Sequence, residues 1–359
     1  MERILGDKVI YCKLIAITIH TPYHACIQLF NVLCMRKKYL LLILGIIALA
    51  LVIAFLGFSK GSKVSQKNDE GKIKIITTLF PLYDFAKNIG QDKVEVSLLL
   101  PPGVEAHSFE PKPDDIVKIN ETDIFIYTGE FMEPWAHDII QGADKKVKAV
   151  DASVGIEMMK EEGYEHEETD RHESEEEHHH HDGVDPHIWL DFDNDKAMVK
   201  TITKALSEKD PDNANYYQQK SEEYQNKLSA MDSEYKMSLS SCASKEIVYG
   251  GHYAFGYLAN RYSLKYSAAQ GVSPDAEPTA QDLIELVEQI RKDNIKYVFY
   301  EELTTPKIAE TLANETKAKM LFLNAAHNVT KEDFQNNISF LAIMQENLTN
   351  LKIGLQCSN

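Results

Sequence analysis

The chain has 359 residues, of which 44% are hydrophobic and 26% are charged, enough for one large or two medium-sized globular lobes. Its 38 basic and 55 acidic residues give a net charge of −17 at pH 7. This balance argues against a nucleic-acid-binding protein, because phosphate binding needs clustered lysine and arginine, and it suits a cationic partner.

The first predicted element is an apolar segment, residues 39–58, that carries no charged residue. A helix of that length spans about 30 Å, which matches the hydrocarbon core of a bilayer. The basic sequence MRKK precedes it at 35–38, which indicates that the rest of the chain is exported. We expect an uncleaved membrane anchor over 35–58, with a cleaved signal peptide as the alternative.

The residues on either side of the apolar segment differ in character. Residues 1–34 show no clear pattern and Met35 opens the export segment, so we expect residues 1–34 to be an untranslated or non-native extension. Residues 59–71, SKGSKVSQKNDEG, are polar and contain glycine, which predicts a flexible tether.

Strand and helix patterns alternate through the next part of the chain, which we predict to be an N-terminal lobe over 72–208. The alternation is typical of a parallel sheet with helices on its faces. The predicted strands cover 72–78, 93–100, 123–129 and 146–153, and the predicted helices cover 81–90, 114–120 and 130–140.

A tract at 157–184 interrupts this lobe. It is rich in glutamate and histidine and almost lacks apolar residues after Met159, so it is expected to be disordered when empty. It is interpreted either as a weak metal-gathering loop or as a solubilising insert. Its histidines are His166, His172, His178, His179, His180 and His181.

Apolar residues at helical spacing predict one long helix over 211–241, within a linking segment at 209–243. Such a helix is about 45 Å long, enough to join two lobes. A second alternation predicts a C-terminal lobe over 244–359, in which Thr279 and Asp282 are placed to cap a helix. The predicted fold class is α/β, with two lobes that each contain a central, mostly parallel sheet flanked by helices and are joined by one long rigid helix. The predicted strands of this lobe cover 245–251, 263–269, 295–300 and 318–324, and its helices cover 254–262, 279–294 and 305–317.

Two of the five cysteines, Cys242 and Cys357, fall in the predicted exported part. Because exported proteins meet an oxidising environment, this pair is a candidate for one disulfide, and two free thiols are the alternative.

Four polar side chains fall near the ends of predicted strands, where ligands bind in α/β folds. His107 and His187 belong to the N-terminal lobe, and His252 and Glu301 belong to the C-terminal lobe. Three imidazoles and a carboxylate suit tetrahedral Zn²⁺, whereas Mn²⁺, Ca²⁺ and Mg²⁺ favour oxygen. Taken singly, each histidine is more typical of a capping residue, and Glu301 of a solvated helix start, so the hypothesis depends on all four.

Six stretches between residues 72 and 355 carry a family resemblance: FPLYDFAKNIG, PPGVEAHSFEPKPDD, DPHIWLD, GGHYAFGYLANRY, SPDAEPT and FYEELTTPKIAETLANET. Together they resemble the zinc- and manganese-binding solute-binding proteins of bacterial ABC transporters, the metal-binding lipoprotein and adhesin-like family. The resemblance implies metal ligands at His107, His187 and His252, and histidine at the last position is typical of zinc members. It also implies a histidine-rich loop between the first two ligands.

The resemblance leaves the fourth ligand open. Some members use a glutamate at the end of the strand predicted over 295–300, which matches Glu301. Others use an aspartate at the end of the next strand, where this chain has the neutral Asn324. Glu301 is therefore the predicted fourth ligand, and Asn324, His327 and water are the other candidates.

The resemblance implies an extracytoplasmic zinc-binding component that delivers Zn²⁺ to a membrane permease, acts as a monomer and catalyses no reaction. A manganese binder of the same fold is the first alternative. A zinc hydrolase is a second, but no HExxH motif is present and Glu301 is better used as a ligand. An adhesion protein is compatible with the fold but has no motif of its own here.

Overall fold

The computed structural model describes residues 71–160, 183–274, 277–303 and 305–358. The predicted anchor, residues 59–70 of the predicted tether and all six histidines of the tract lie outside these described residues. Among the helices of the described part, none has the length and apolar character needed to span a bilayer.

The first half of the described chain forms a parallel sheet with strand order β2-β1-β3-β4. The central strand is apolar on both faces, since Ile73, Ile75 and Ile76 are all buried, as expected for a strand covered by helices on both sides. The elements in chain order are β1 (Ile73–Thr77), α1 (Phe80–Gly90), β2 (Val94–Leu98), α2 (Pro113–Asn120), β3 (Ile124–Tyr127), α3 (Ala136–Gly142) and β4 (Lys148–Asp151).

Helix α3 begins later than the predicted helix at 130–140. Glu133 is buried, and its carboxyl group accepts hydrogen bonds from the backbone N–H groups of Thr128 and Gly129, at 3.0 and 3.1 Å. These bonds hold the residues after β3 in a turn, and Pro134 follows directly, so the helix starts only at Ala136.

Two antiparallel helices, α4 (Phe192–Lys209) and α5 (Ala214–Ser240), connect the two sheets. The α5 helix has 27 residues and confirms the long helix expected from sequence, with a short 3₁₀ turn at Pro211–Asn213 before it. Its buried side chains recur at intervals of four and seven residues and so share one face, which packs against α1, α4 and α10 (Phe340–Gly354). They include Tyr217, Tyr224, Leu228, Tyr235 and Leu239.

The second sheet is also parallel and has the order β6-β5-β7-β8. The capping predicted at its second helix is confirmed, since the Thr279 hydroxyl accepts from the Asp282 N–H and the Asp282 carboxylate accepts from the Thr279 N–H. The elements are β5 (Glu246–Tyr249), α6 (Gly256–Arg261), β6 (Lys265–Ala268), α7 (Ala280–Lys292), β7 (Tyr297–Tyr300), α8 (Lys307–Thr316), β8 (Lys319–Phe322), α9 (Lys331–Gln335) and α10.

One continuous cluster of buried apolar side chains joins the two lobes. It includes Ile75 of β1, Leu228 of α5, Tyr249 of β5 and Leu351 of α10. Because protein interiors are close-packed, a core shared in this way resists large movements of one lobe against the other.

A disulfide joins Cys242, just after α5, to Cys357 near the end of the chain. The two residues are 115 positions apart, so the bond closes a long loop in the unfolded chain. Its reduction is expected to lower the free energy of unfolding by about 2–4 kcal/mol, because the unfolded state regains that loop's conformational entropy. Urea unfolding with and without reductant measures this. A Cys242→Ser/Cys357→Ser variant is the control, and equal midpoints for the oxidised and reduced protein would contradict the expectation.

Candidate metal centre

Three histidines from different parts of the chain meet in the cleft between the two sheets. His107 lies in the loop that follows β2, His187 lies just before the turn that leads into α4, and His252 lies three residues after the end of β5. Among the described residues, these three form the one group of three or more histidine, cysteine or acidic side chains whose ligand atoms all lie within 4.8 Å of one another.

The ring nitrogens of this group converge on one point. The Nε2 atom of His187 lies 3.1 Å from Nε2 of His107 and 3.2 Å from Nε2 of His252. The three ring centroids are all 5.1 Å apart. A tetrahedral zinc ion with bonds of about 2.0–2.1 Å needs donor nitrogens about 3.4 Å apart, so small outward shifts of these rings would admit the ion.

The three histidines differ in exposure. His187 and His252 are 0% and 1% exposed, whereas His107 is half-buried. His107 lines a cleft of about 710 Å³, together with Phe109, Trp135 and Ser273. A cation would therefore enter and leave the site on the His107 side.

Asp185 holds His187 in the orientation that metal binding needs. Its Oδ1 atom lies 2.8 Å from Nδ1 of His187 and 3.0 Å from the His187 backbone nitrogen. A carboxyl oxygen at Nδ1 fixes the proton there and leaves the Nε2 lone pair facing the cluster. Burial raises the pKa of Asp185 to about 8 and holds the pKa of His187 well below its usual value, so the ring is neutral at pH 7.

Glu301 makes the equivalent contact on the other buried histidine. Its Oε2 atom lies 2.7 Å from Nδ1 of His252. Each carboxyl group also sits where only glycine leaves room, since a Cβ atom on Gly251 would clash with Glu301 and one on Gly256 would clash with Asp185. The structure thus places Glu301 behind His252, outside the group of three ring nitrogens.

The other two candidates for a fourth ligand also lie outside that group. The backbone N–H of Asn324 donates a hydrogen bond to the side-chain oxygen of Asn347. The side-chain oxygen of Asn324 accepts one from the Ala326 N–H. His327 is 2% exposed, and its ring centroid is 5.9 Å from that of His252 and 6.3 Å from that of His107. Its two nitrogens face Glu302 and Glu105 at 3.5 and 3.7 Å.

Sequence reasoning missed Asp185. The signal was present in DPHIWLD, because an aspartate two residues before a ligand histidine can reach back to its Nδ1 atom in a tight turn.

Replacing Asp185 with asparagine is expected to weaken zinc binding by about 10–100-fold. A bound cation favours the ionised form of Asp185, whose negative charge makes the imidazole a stronger donor, and an amide cannot ionise. A chelator competition titration measures the dissociation constant. Asp84→Asn is the matched control. Asp84 is also buried, but its carboxyl group accepts hydrogen bonds from Tyr224 at 2.8 Å and Asn88 at 3.1 Å rather than from a histidine. Unchanged zinc affinity in Asp185→Asn would show that the contact between Asp185 and His187 does not strengthen zinc binding.

Comparison with known proteins gives one family and several close relatives. The family described as "Zinc-uptake complex component A periplasmic" matches residues 75–354. The high-affinity zinc uptake system protein ZnuA of Bacillus subtilis is 38% identical over 315 residues, which cover 86% of this chain and 96% of that protein. The zinc-binding lipoprotein AdcA of Streptococcus pneumoniae is 37% identical over 317 residues, which cover 88% of this chain but only 60% of AdcA.

Solved structures with a similar fold include one of the same proteins. The crystal structure of the Zn(II)-bound ZnuA-like domain of Streptococcus pneumoniae AdcA matches with a TM-score of 0.66 and 34% identity, over 79% of this chain and 99% of that domain. The protein in that structure is bound to Zn(II).

Proposed function

Because this chain belongs to the family of zinc-uptake components, we propose that it captures Zn²⁺ at His107, His187 and His252 and delivers the ion to an ABC permease. It is a solute-binding component of a transport system, works outside the cytoplasm and is not an enzyme. The observation that carries the site assignment is the convergence of three Nε2 atoms, two of them with a carboxyl group behind the ring.

We propose Glu301 as the fourth ligand. Its carboxylate lies behind His252, and a change of side-chain torsions would carry it from the Nδ1 atom towards the metal. One carboxylate on Zn²⁺ leaves a net charge of +1 at the site. In the alternative arrangement Glu301 keeps its bond to His252 and water completes the coordination.

The parts of the chain outside the described residues complete the proposal. The apolar segment at 39–58 anchors the protein to the membrane, and residues 59–71 tether it near the permease. The six histidines between His166 and His181 bind zinc weakly and raise its concentration near the tight site. All residues of the tight site come from one chain, so the protein is proposed to act as a monomer.

Zinc and manganese titrations, with bound metal counted by mass spectrometry, test this function. The full chain and a variant lacking 161–182 are each expected to bind one zinc tightly, and excess manganese is not expected to displace it. The variant should lose only additional weak sites. Absence of a tight zinc from both proteins would overturn the proposed function, and its loss from the shortened variant alone would move the tight site to the tract.

A further inference from the structure

The segment that follows β8, residues 325–329, lies between the two lobes and is called here the interlobe strap. All five of its residues are at most 2% exposed. Ala326 has a φ of 61°, in the left-handed region that residues with a side chain rarely adopt. Backbone in such a conformation persists only where the surrounding contacts hold it, so the path of the strap is firmly set.

The strap belongs to the C-terminal lobe by sequence, but its hydrogen bonds reach the N-terminal lobe. They join it to the start of α1, to the loop that carries His107 and to the turn that follows His187. The backbone and indole bonds are Phe80 N to His327 O at 3.2 Å, Gly103 N to Val329 O at 2.8 Å and Trp189 Nε1 to Ala325 O at 2.6 Å.

Asn328 makes the most specific of these contacts. Its Nδ2 atom donates to the carbonyl oxygens of Pro101 and Val104, at 2.9 and 2.8 Å, and its Oδ1 atom accepts from the Val329 N–H at 2.9 Å. Both amide donors and the amide acceptor are therefore used, in a side chain that is 0% exposed.

The loop held by Asn328 has no helix or strand of its own between β2 and α2. Its first part, residues 101–107, contains two prolines and Gly103, whose φ of 86° is in the left-handed region, and it leads directly to His107. The position of His107 therefore depends on what the loop is fastened to, and Asn328 and Val329 of the strap are two of those points.

We propose that Asn328 is a positioning residue for the metal: it fastens the loop at 101–107 to the C-terminal lobe, keeps His107 beside His187 and His252, and so limits the rate at which zinc leaves. The inference rests on the proposed zinc site. His107 is the half-buried member of that site and lines the cleft, so zinc that leaves through the cleft passes it. Asn328 acts through the loop, because its side-chain hydrogen bonds join it to Pro101, Val104 and Val329 rather than to any of the three histidines.

The test compares Asn328→Ala with Asn347→Ala. Asn347 is also 0% exposed, donates Nδ2 to the Asn324 carbonyl at 2.7 Å and accepts from the Asn324 N–H at 2.9 Å, but both of its partner atoms belong to the C-terminal lobe. Asn328→Ala is expected to raise the zinc dissociation rate by about 10–100-fold, the usual size of an outer-shell effect, and Asn347→Ala by less than about 3-fold. Stopped-flow transfer of zinc to a chelator measures both rates.

Asn328→Ala is also made in a His107→Ala background. This double variant separates an effect on the position of His107 from a general loosening of the fold. With His107 absent, Asn328→Ala is expected to change the dissociation rate by less than about 3-fold, because the side chain that it positions is gone. The visible absorption of the Co²⁺-loaded protein should also change in intensity with Asn328→Ala and remain unchanged with Asn347→Ala. If Asn328→Ala does not fold, Asn328→Ser is put through the same comparisons.

Two results would overturn the inference: an unchanged dissociation rate in folded Asn328→Ala or Asn328→Ser, or an equal increase with and without His107. Either can occur while His107→Ala alone still weakens zinc binding, in which case the zinc site stands and only the role of Asn328 is lost. If His107→Ala has no effect, the proposed function itself fails.

Discussion

Replacing His252 with alanine is expected to weaken zinc binding by about 60–700-fold. Four-ligand zinc sites in small proteins gain about 10–16 kcal/mol on binding, so one ligand accounts for about 2.5–4 kcal/mol, which corresponds to that factor. His252 is 1% exposed, and its Nε2 atom lies 3.2 Å from that of His187, so no solvent-exposed group can replace it without rearrangement.

Competition with a chelator of known affinity measures the loss in His252→Ala, and unfolding of the metal-free variant shows whether the fold is kept. His137→Ala is the matched control, because His137 is an exposed histidine of the same chain whose Nε2 atom contacts Gln141. Equal zinc affinities for His252→Ala, His137→Ala and the unaltered protein would remove His252 from the site.

Replacing Arg261 with methionine is expected to lower the free energy of unfolding by about 3–5 kcal/mol, because it leaves carboxylates without their cation in a largely buried place. Arg261 lies at the end of α6 and is 10% exposed in its side chain. Its guanidinium donates to both oxygens of Asp232 on α5, at 2.8 Å each, and to Asp191 at the start of α4, at 2.9 and 3.0 Å. One side chain thus joins the C-terminal lobe to the long helix and to the segment that follows His187.

The loss caused by Arg261→Met should depend on pH. Burial tends to raise the pKa of Asp232, but hydrogen bonds from Arg261, Lys236 and Tyr262 outweigh it and hold that pKa well below its usual range. A depressed carboxyl pKa stabilises the fold above the unfolded-state pKa of about 3.9, and this stabilisation fades as the pH falls towards the folded-state value. The destabilisation should therefore be largest at pH 7 and smaller near pH 3.

Urea unfolding of the metal-free protein at both pH values measures the effect of Arg261→Met. Lys265→Met is the control, since Lys265 also pairs with a carboxylate, that of Glu246, but its side chain is 77% exposed and is expected to contribute less than about 1 kcal/mol. An equal, small effect for both variants at pH 7 would show that the Arg261 contacts do not stabilise the fold.

The sequence predicts the fold and two of the three histidines of the site for one physical reason. Parallel strands separated by helices must all end at the same edge of their sheet, so residues that follow strands lie near one another even when far apart in the chain. This places His107 and His252 at facing edges without any knowledge of side-chain contacts. His187 follows the tract at 157–184 rather than a predicted strand, and the family resemblance supports it as a ligand.

Other features depend on contacts that no local pattern contains. The bond from Trp189 to Ala325 joins residues 136 positions apart, and the bonds from Asn328 to the loop before His107 span more than 220 positions. The placement of Glu301 behind His252 depends on the room left by Gly251, which a sequence pattern does not reveal. Such contacts arise from packing of whole lobes, and only the folded chain shows them.

A crystal structure of the zinc-loaded protein, with diffraction data collected on both sides of the zinc absorption edge, tests the central claim most directly. The account predicts one strong anomalous peak about 2.0–2.1 Å from the Nε2 atoms of His107, His187 and His252, with a carboxylate oxygen of Glu301 as the fourth donor. Absence of zinc from this position, or zinc bound here by fewer than all three histidines, would contradict it.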